Sequence, residues 1–145
     1  PIDRPSETTP LMQTPVSEFE GQFSPDGRWL AYLSDESGPF ELYVRRWPIG
    51  PDRVQLSNGG AAAPKWSADG RELVYRGSDA LMSVQLTERE GELAPSVPRP
   101  LFALTDPALS TSFAVSRDSQ RFLFARATGR DQISVITNWA QLMPR

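Results

Sequence analysis

The chemistry open to this chain is limited first by two residue types that it lacks. It contains no histidine and no cysteine, which excludes Ser-His-Asp and Cys-His nucleophilic catalysis, and zinc sites built on imidazole or thiolate, within the chain. The 18 aspartates and glutamates leave a two-carboxylate glycosidase or a hard-cation site open on composition. No spacing of these carboxylates favours either one. We therefore predict a non-catalytic module that uses no cofactor and no metal.

Four residues are candidates for contact with a ligand. Glu18 and Glu20 are expected in the loop that enters the innermost strand of a first repeated unit, and Asn58 in the same loop of the next unit. Trp29 is the aromatic residue that we expect to be exposed and able to stack on a ligand. The alternatives are a solvated, salt-bridged surface for the charged residues and an aromatic ring packed on a neighbour for Trp29.

These candidates must be positioned by a repeat, because three segments of the chain align without gaps over ten positions. They are Phe23–Tyr32, Trp66–Tyr75 and Val115–Phe124, which read FSPDGRWLAY, WSADGRELVY and VSRDSQRFLF. Their first residues are 43 and 49 residues apart. A period of this length with strand-type content is typical of propeller blades.

Each segment contains a tight turn built around serine and aspartate. An aspartate at this position accepts backbone N–H groups just ahead of it, and glycine adopts the positive φ that closes the turn. We therefore assign Asp26, Asp69 and Asp118 to turns rather than to a repeated cation site. Because Ser119 stands where glycine is expected, we predict a slightly different or more strained third turn. The predicted turn residues are Ser24, Asp26, Gly27, Ser67, Asp69, Gly70, Ser116 and Asp118.

Alternating apolar residues after each turn predict strands, with large side chains on one face. The alternating pairs are Leu30 with Tyr32, Leu73 with Tyr75, and Phe122 with Phe124. We predict an all-β fold, a partial β-propeller of three four-stranded blades, in which the third unit has only three strands of its own. The predicted boundaries are a flexible segment over 1–8, a strand over 9–14, blade units over about 18–58, 59–105 and 106–139, and a propeller region over 9–145.

The first repeated segment, together with the Glu41–Val44 sequence ELYV, resembles the WD40-like PD40 repeat of TolB-type β-propellers, over about residues 9–139. The chain is also similar to propeller segments that follow bacterial serine/threonine protein kinase domains, and the Asn138-Trp139 pair is part of that similarity. The resemblance implies a bacterial protein-docking module, as in TolB. It equally allows an accessory domain of an enzyme, either the sensor end of a receptor-type kinase or the gate of a prolyl-oligopeptidase-like peptidase. Kinase catalytic motifs are absent, so no kinase activity is implied.

Charge and hydropathy limit the partners. The net charge of −3 and the pI near 5.0 argue against nucleic acid as the main partner. No apolar run is long enough for a membrane span. Because the sequence begins with Pro1, we expect a segment of a longer protein, in either an extracytoplasmic (periplasmic) or a cytoplasmic location. The predicted partner is a protein or a peptide.

Three blades do not close a ring, since propellers typically carry four to eight. An open arc would expose apolar sheet faces, which mark interfaces. Further blades in a longer chain would complete the ring, and so would a homodimer that closes six blades about a two-fold axis. In that dimer, residues 10–13 would add a strand to the third blade of the partner. A monomeric arc and a higher-order cluster are the remaining alternatives.

Overall fold

The structure is a computed structural model, and it describes residues 10–48, 52–126 and, for their backbone, 132–137. These ranges contain only strands and loops, so the all-β prediction is confirmed; none of them contains a helix that could cross a membrane. The predicted flexible segment over 1–8 and the Asn138-Trp139 pair lie outside them. The strands are β1 (Glu18–Phe23), β2 (Trp29–Ser34), β3 (Glu41–Arg46), β4 (Arg53–Gln55), β5 (Ala62–Trp66), β6 (Glu72–Arg76), β7 (Ala80–Arg89), β8 (Glu92–Pro95), β9 (Arg99–Ala103), β10 (Leu109–Val115), β11 (Arg121–Arg126) and β12 (Gln132–Thr137).

The strands form three antiparallel sheets in chain order. The first sheet has the order β1-β2-β3-β4, and the third has the order β10-β11-β12. In the second, β5, β6 and β7 pair in sequence and β9 pairs with the first half of β7. The first strand of the second sheet, β5, contacts both β1 and β10. The three sheets therefore follow one another, with their first strands side by side.

The hydrophobic cores lie between consecutive sheets. Because successive side chains of a strand point to opposite faces, a sheet with a neighbour on each side needs apolar residues at both alternating sets of positions. The core between the first and second sheets contains Trp29, Ala31, Leu33, Leu42, Val44, Leu56, Leu73, Tyr75, Val84 and Leu86. The core between the second and third contains Ala63, Val74, Leu81, Leu101, Phe102, Leu104, Phe113, Phe122 and Phe124.

Trp29 belongs to the first of these cores and is only 8% exposed. The expectation of an exposed tryptophan is therefore wrong. Its strand, β2, is buried along its whole length, because β1 and β3 flank it and both of its faces are covered. The guanidinium carbon of Arg46 lies over the indole ring, 6.0 Å from its centre.

A β-hairpin that the sequence did not predict joins the second sheet to the first. The second half of β7 extends beyond the sheet and pairs with β8. Glu90 and Gly91 connect the two strands with φ values of 55° and 85°, as a two-residue type I′ turn requires. Arg46 of the first sheet donates a hydrogen bond to the Gly91 carbonyl at 3.0 Å. The hairpin is therefore fastened across the boundary between the two sheets.

The strand predicted over 9–14 is absent from its described residues, 10–14, which carry no strand. Proline at positions 10 and 15 removes two backbone N–H donors that a sheet ladder would use. The segment lies on the first sheet of its own chain, where Met12 packs against Leu30, Tyr32 and Tyr43. The addition of residues 10–13 to a partner's third blade stays a prediction.

The three serine–aspartate turns have the same hydrogen bonds. In each turn the serine hydroxyl donates to the aspartate Oδ1, at 2.6, 2.7 and 2.5 Å in chain order. The serine oxygen accepts the backbone N–H five residues on, at 2.9 Å in all three turns. The aspartate Oδ1 accepts the N–H two residues on, at 3.1, 3.0 and 3.1 Å. The third turn keeps this geometry although Ser119, with φ of 56°, replaces a glycine.

We predict that Ser119→Gly raises the free energy of unfolding by about 0.5–1 kcal/mol, because it relieves a left-handed backbone conformation that serine adopts at a cost. Urea unfolding followed by circular dichroism measures the change. Gly27→Ser is the matched control, since a Cβ at Gly27 would meet no heavy atom within 4 Å and only the backbone conformation is affected. That variant should lose stability, and a Ser119→Gly protein no more stable than the parent would contradict the prediction.

Candidate ligand-binding cleft

A cleft of about 490 Å³ opens between the first and second sheets, at the end of the molecule where the serine–aspartate turns lie. The first turn, the second turn and the β7–β8 hairpin form its walls. The two turns lie close together, since a Cβ added to Gly70 would be 3.4 Å from the ring of Pro25. We call this space the turn cleft, and its principal lining residues are Asp26, Arg28, Trp29, Arg71, Leu86 and Leu93.

The floor of the turn cleft is apolar. Trp29 and Leu86 belong to the core between the two sheets, and Leu93 of the hairpin packs against that core. These side chains are held by the sheets on either side, so the floor is formed before any ligand arrives. A preformed apolar surface inside a concave site is the usual basis of ligand binding.

Two arginines at equivalent turn positions stand at the rim, and their surroundings differ. Arg28 forms ion pairs with Asp26 at 2.8 Å and with Glu88 of the hairpin at 2.7 Å. Arg71 donates its backbone N–H to Asp69, but within the described ranges its guanidinium forms no ion pair or side-chain hydrogen bond. The cleft therefore presents one neutralised arginine and one whose donors are unused.

The two aspartates of the cleft are held in their ionised form. The Ser24 hydroxyl, with the Arg28 backbone and side chain, lowers the pKa of Asp26 to about 2. The Ser67 hydroxyl holds the pKa of Asp69 below its usual value. In both carboxylates, Oδ1 accepts hydrogen bonds from within its own turn. They contribute negative charge to the rim and shape the turns.

A second, smaller cleft of about 360 Å³ lies between the second and third turns. Arg117, Gln85 and Gln120 line it, and its walls are mostly polar. It has no counterpart of the tryptophan and leucine floor of the turn cleft. The turn cleft is therefore the better candidate for holding an apolar group.

Of the predicted ligand residues, Glu18 and Glu20 lie on β1. Glu18 is half-buried beside a cavity of about 230 Å³ that also includes Met12. Glu20 has φ of 53° in a bulge of β1, and its carboxylate accepts the backbone N–H of Ala63 at 2.7 Å. Because Ala63 sits in the equivalent bulge of β5, Glu20 fastens the first strands of two sheets together.

In the third sheet, the backbone N–H at the corresponding position also has an acceptor, but a different one. Ser112 holds the position that corresponds to Glu20 and Ala63 in the repeat, and its backbone N–H donates to the hydroxyl of Ser110 at 3.1 Å. Ala63 of the preceding sheet has no carboxylate that could serve. The acceptor is therefore supplied from within β10 itself.

Asn58 is exposed. The loop that carries it is hydrogen-bonded to the buried carboxylate of Glu41. Glu41 is 1% exposed, and it accepts hydrogen bonds from the Ser57 hydroxyl and from the N–H groups of Gly59 and Gly60, the last two at 2.7 and 2.8 Å. Ser57 in turn accepts the N–H of Leu42 at 2.8 Å. The charge of Glu41 is thus balanced by donors, and the loop that carries Asn58 has a fixed path.

The structure does not bring the four predicted residues into one site. Glu18 pairs with Ser34 at one end of the first sheet, and Trp29 pairs with Arg46 at the other. Only Trp29 lines the turn cleft. The sequence analysis did not single out Arg71, Leu86 or Leu93, which also line the turn cleft. Two sequence features could have indicated this site: the arginine that follows Asp-Gly in two of the repeats, and the Glu-Gly pair that forms the hairpin turn.

Comparison with known proteins gives structural neighbours only. No family model matches the chain, and no curated protein matches it. An oligogalacturonate lyase from Vibrio parahaemolyticus superposes with a TM-score of 0.60 at 18% identity, over 79% of this chain and 31% of that one. TolB from Acinetobacter baumannii gives 0.56 at 21% identity, over 86% and 30%. A TolB-type protein from Agrobacterium tumefaciens gives 0.57 at 17% identity, over 87% and 47%.

These neighbours confirm the prediction of a β-propeller fold of the TolB type. The chain spans between 30% and 47% of the length of these three structures. At identities of 21% or less the similarity concerns the fold. Among the described residues, no group of three or more carboxylates is arranged to hold a metal ion.

Glu41→Gln should lower the free energy of unfolding by about 2 kcal/mol, because a buried, charge-assisted acceptor of three donors becomes a neutral amide. The same change should lower the pKa of Tyr75. Burial, and to a smaller extent the charge of Glu41, raises that pKa to about 12, so it should fall but stay above 10. Urea unfolding and NMR titration of labelled tyrosine rings measure the two effects. Glu36→Gln, which only weakens an ion pair with Arg53, should leave the Tyr75 pKa unchanged; an equal shift in both variants would contradict the assignment.

The Asp26 carboxyl should titrate at about pH 2, below its ordinary value of 3.8. Because the folded pKa is the lower one, this carboxylate stabilises the fold above about pH 3.8, and its contribution is lost as the pH falls towards 2. Ser24→Ala removes the largest cause and should return the pKa of Asp26 towards 3.8, as read from the carboxyl carbon shift by NMR. Ser67→Ala should move Asp69 and leave Asp26 in place. A parent Asp26 that titrates near 3.8 would refute the turn geometry.

Proposed function

We propose that this chain is a non-catalytic propeller module that binds a protein or peptide partner in the turn cleft. The observation that carries the proposal is the unused guanidinium of Arg71 beside the apolar floor of Trp29, Leu86 and Leu93. The volume of the cleft, about 490 Å³, lies in the range of roughly 300–1,000 Å³ that ligand sites occupy. It is large enough for one or two side chains of a bound segment.

The chemistry of the cleft selects a partner segment with an acidic residue next to a large apolar one. A guanidinium presents a planar fork of donors that matches a carboxylate in two-point contact. Arg28 cannot serve equally, because Asp26 and Glu88 already balance its positive charge. We expect the apolar side chain of the partner to lie on Trp29 and Leu93, and its carboxylate to contact Arg71.

The absence of catalysis is part of the proposal, and the state of the carboxylates supports it. A carboxyl that acts as a general acid near neutral pH needs a raised pKa. The two aspartates of the turn cleft have lowered ones. The carboxylates of Glu41 and Glu20 accept hydrogen bonds from backbone N–H groups. This favours holding a partner over transforming a substrate.

Four finer points stay predictions: the PD40 assignment of the repeats, the kinase-associated or peptidase-gating alternative, the lack of nucleic-acid binding and the homodimer. No contact of the turn cleft favours the enzyme-associated alternative over a docking role.

Selection from a phage-displayed library of random dodecapeptides tests the proposal. Enriched peptides should carry Asp or Glu next to an aromatic or aliphatic residue. A synthetic copy of an enriched peptide should bind Arg71→Glu at least tenfold more weakly than the parent by titration calorimetry, a difference of about 1.4 kcal/mol.

Arg117→Glu is the matched control, because it changes the same charge at the neighbouring cleft and should leave the affinity unchanged. Equal weakening by both variants would contradict binding in the turn cleft, because Arg71 and Arg117 both line the smaller cleft. Enriched peptides without an acidic residue, or a peptide whose binding ignores Arg71, would overturn the proposal.

A further inference from the structure

An asparagine followed by a glycine occurs once in the sequence, in the loop between β4 and β5. Asn58 is exposed, and within the part of the chain that the structure describes no hydrogen bond holds its side-chain amide. Gly59 has φ of 107°, and it has no side chain to shield its backbone nitrogen. The pair therefore has the residue types and the exposure for attack of a backbone nitrogen on the neighbouring side-chain amide.

The reaction open to this pair is the loss of ammonia followed by the addition of water. The Gly59 nitrogen gives up its proton and bonds to Cγ of Asn58, and the side-chain nitrogen leaves as ammonia. A five-membered succinimide ring remains. Water opens the ring at either carbonyl and leaves aspartate or isoaspartate at position 58. One amide and one water thus give one carboxylic acid and one ammonia, without an oxidant or a cofactor.

The proton that must leave Gly59 is held by a buried carboxylate. The N–H of Gly59 donates to Oε1 of Glu41 at 2.7 Å, and the N–H of Gly60 donates to the same oxygen at 2.8 Å. Glu41 is almost completely buried. Removal of the Gly59 proton would create an amide anion beside a negative charge in a poorly solvated place, which is unfavourable. Glu41 therefore opposes the first step of the reaction.

Hydrogen bonds on both sides of the pair keep the loop in place. Before the pair, the Ser57 hydroxyl donates to Glu41 and accepts the N–H of Leu42 at 2.8 Å. After it, the N–H of Ala61 donates to the Phe40 carbonyl at 2.8 Å. The reaction therefore needs either a local opening of this loop or the loss of the Glu41 charge.

We propose that the Asn58-Gly59 pair is a site of spontaneous deamidation, and that Glu41 suppresses the reaction in the folded protein. The loop lies at the end of the first sheet opposite the turn cleft, so the inference does not depend on the proposed binding function. Isoaspartate adds one carbon to the backbone before Gly59, so we expect it to move that N–H away from Glu41. The product should then unfold at a lower urea concentration than the parent, because a buried carboxylate has lost a donor.

Glu41→Gln tests the proposal, because it keeps the shape of the side chain and removes its charge. Parent and variant are incubated in mildly alkaline buffer. Mass spectrometry of the peptide that contains position 58 follows the conversion of amide to acid, and enzymatic carboxyl methylation detects isoaspartate. The rate should rise about tenfold in the variant, as expected when one charge-assisted hydrogen bond no longer opposes loss of the proton. Glu36→Gln, the same change at an ion-paired residue of the first sheet, should keep the parent rate.

Leu81→Ala separates the loss of charge from the loss of stability that Glu41→Gln also causes. Leu81 is completely buried in the core between the second and third sheets, so its truncation costs at least as much stability and leaves the loop contacts in place. A parent-like rate in Leu81→Ala supports the role of Glu41. Equal acceleration in both variants overturns that role, and so does a Glu41→Gln protein that deamidates no faster than the parent.

The parent alone provides two further readouts. In urea, where the loop is unfolded, position 58 should convert faster than in the folded protein, and an equal rate overturns the proposed suppression. Where Glu41→Gln does not fold, NMR hydrogen exchange at Gly59 in the parent measures loss of the same proton. A protected Gly59 amide supports the proposal, and an unprotected one overturns it.

Discussion

Apolar side chains on both faces of a sheet need cover, and the arrangement of the molecule follows from that constraint. The repeated segment places apolar side chains on both faces of the second strand in a sheet, so burial of one face leaves the other in need of a partner. The second sheet meets the need with a neighbour on each side. The first sheet meets it with the irregular residues that precede it, and the third presents Leu123 to solvent. Within the described residues, the first sheet is therefore covered on both faces and the third on one.

The turn cleft is a by-product of the same stacking. Identical turns at the ends of neighbouring sheets leave a hollow between them, and the β7–β8 hairpin deepens the first hollow by crossing from one sheet to the other. The ion pair between Arg28 and Glu88 fastens the hairpin and uses the donors of one arginine. Arg71, at the equivalent position of the next turn, borders the same hairpin but forms no ion pair with it. The two arginines of the cleft therefore differ although the turns repeat: Arg28 is paired with Glu88, and Arg71 forms no ion pair among the described residues.

Local chemistry determined what the sequence could predict. A serine and an aspartate two residues apart form their turn through bonds within six residues, so the same pattern could be recognised three times, even where Ser119 replaces glycine. Trp29 could not be placed, because its burial depends on sheets distant in sequence. Glu41 gave no signal, since a glutamate at the start of a strand looks the same whether water or the N–H groups of Gly59 and Gly60 surround it. The strand expected over 9–14 is absent from the described residues 10–14, where Met12 packs on the first sheet instead of pairing in a ladder.

The bond from Glu20 to Ala63 makes the three units distinct in spite of their similar turns. At this position of the second and third sheets, the backbone N–H donates to acceptors of different origin: a carboxylate of the previous sheet for Ala63, and a hydroxyl of its own strand for Ser112. Shuffling the units would separate a donor from the acceptor matched to it. The order of the sheets therefore depends in part on a contact between their first strands.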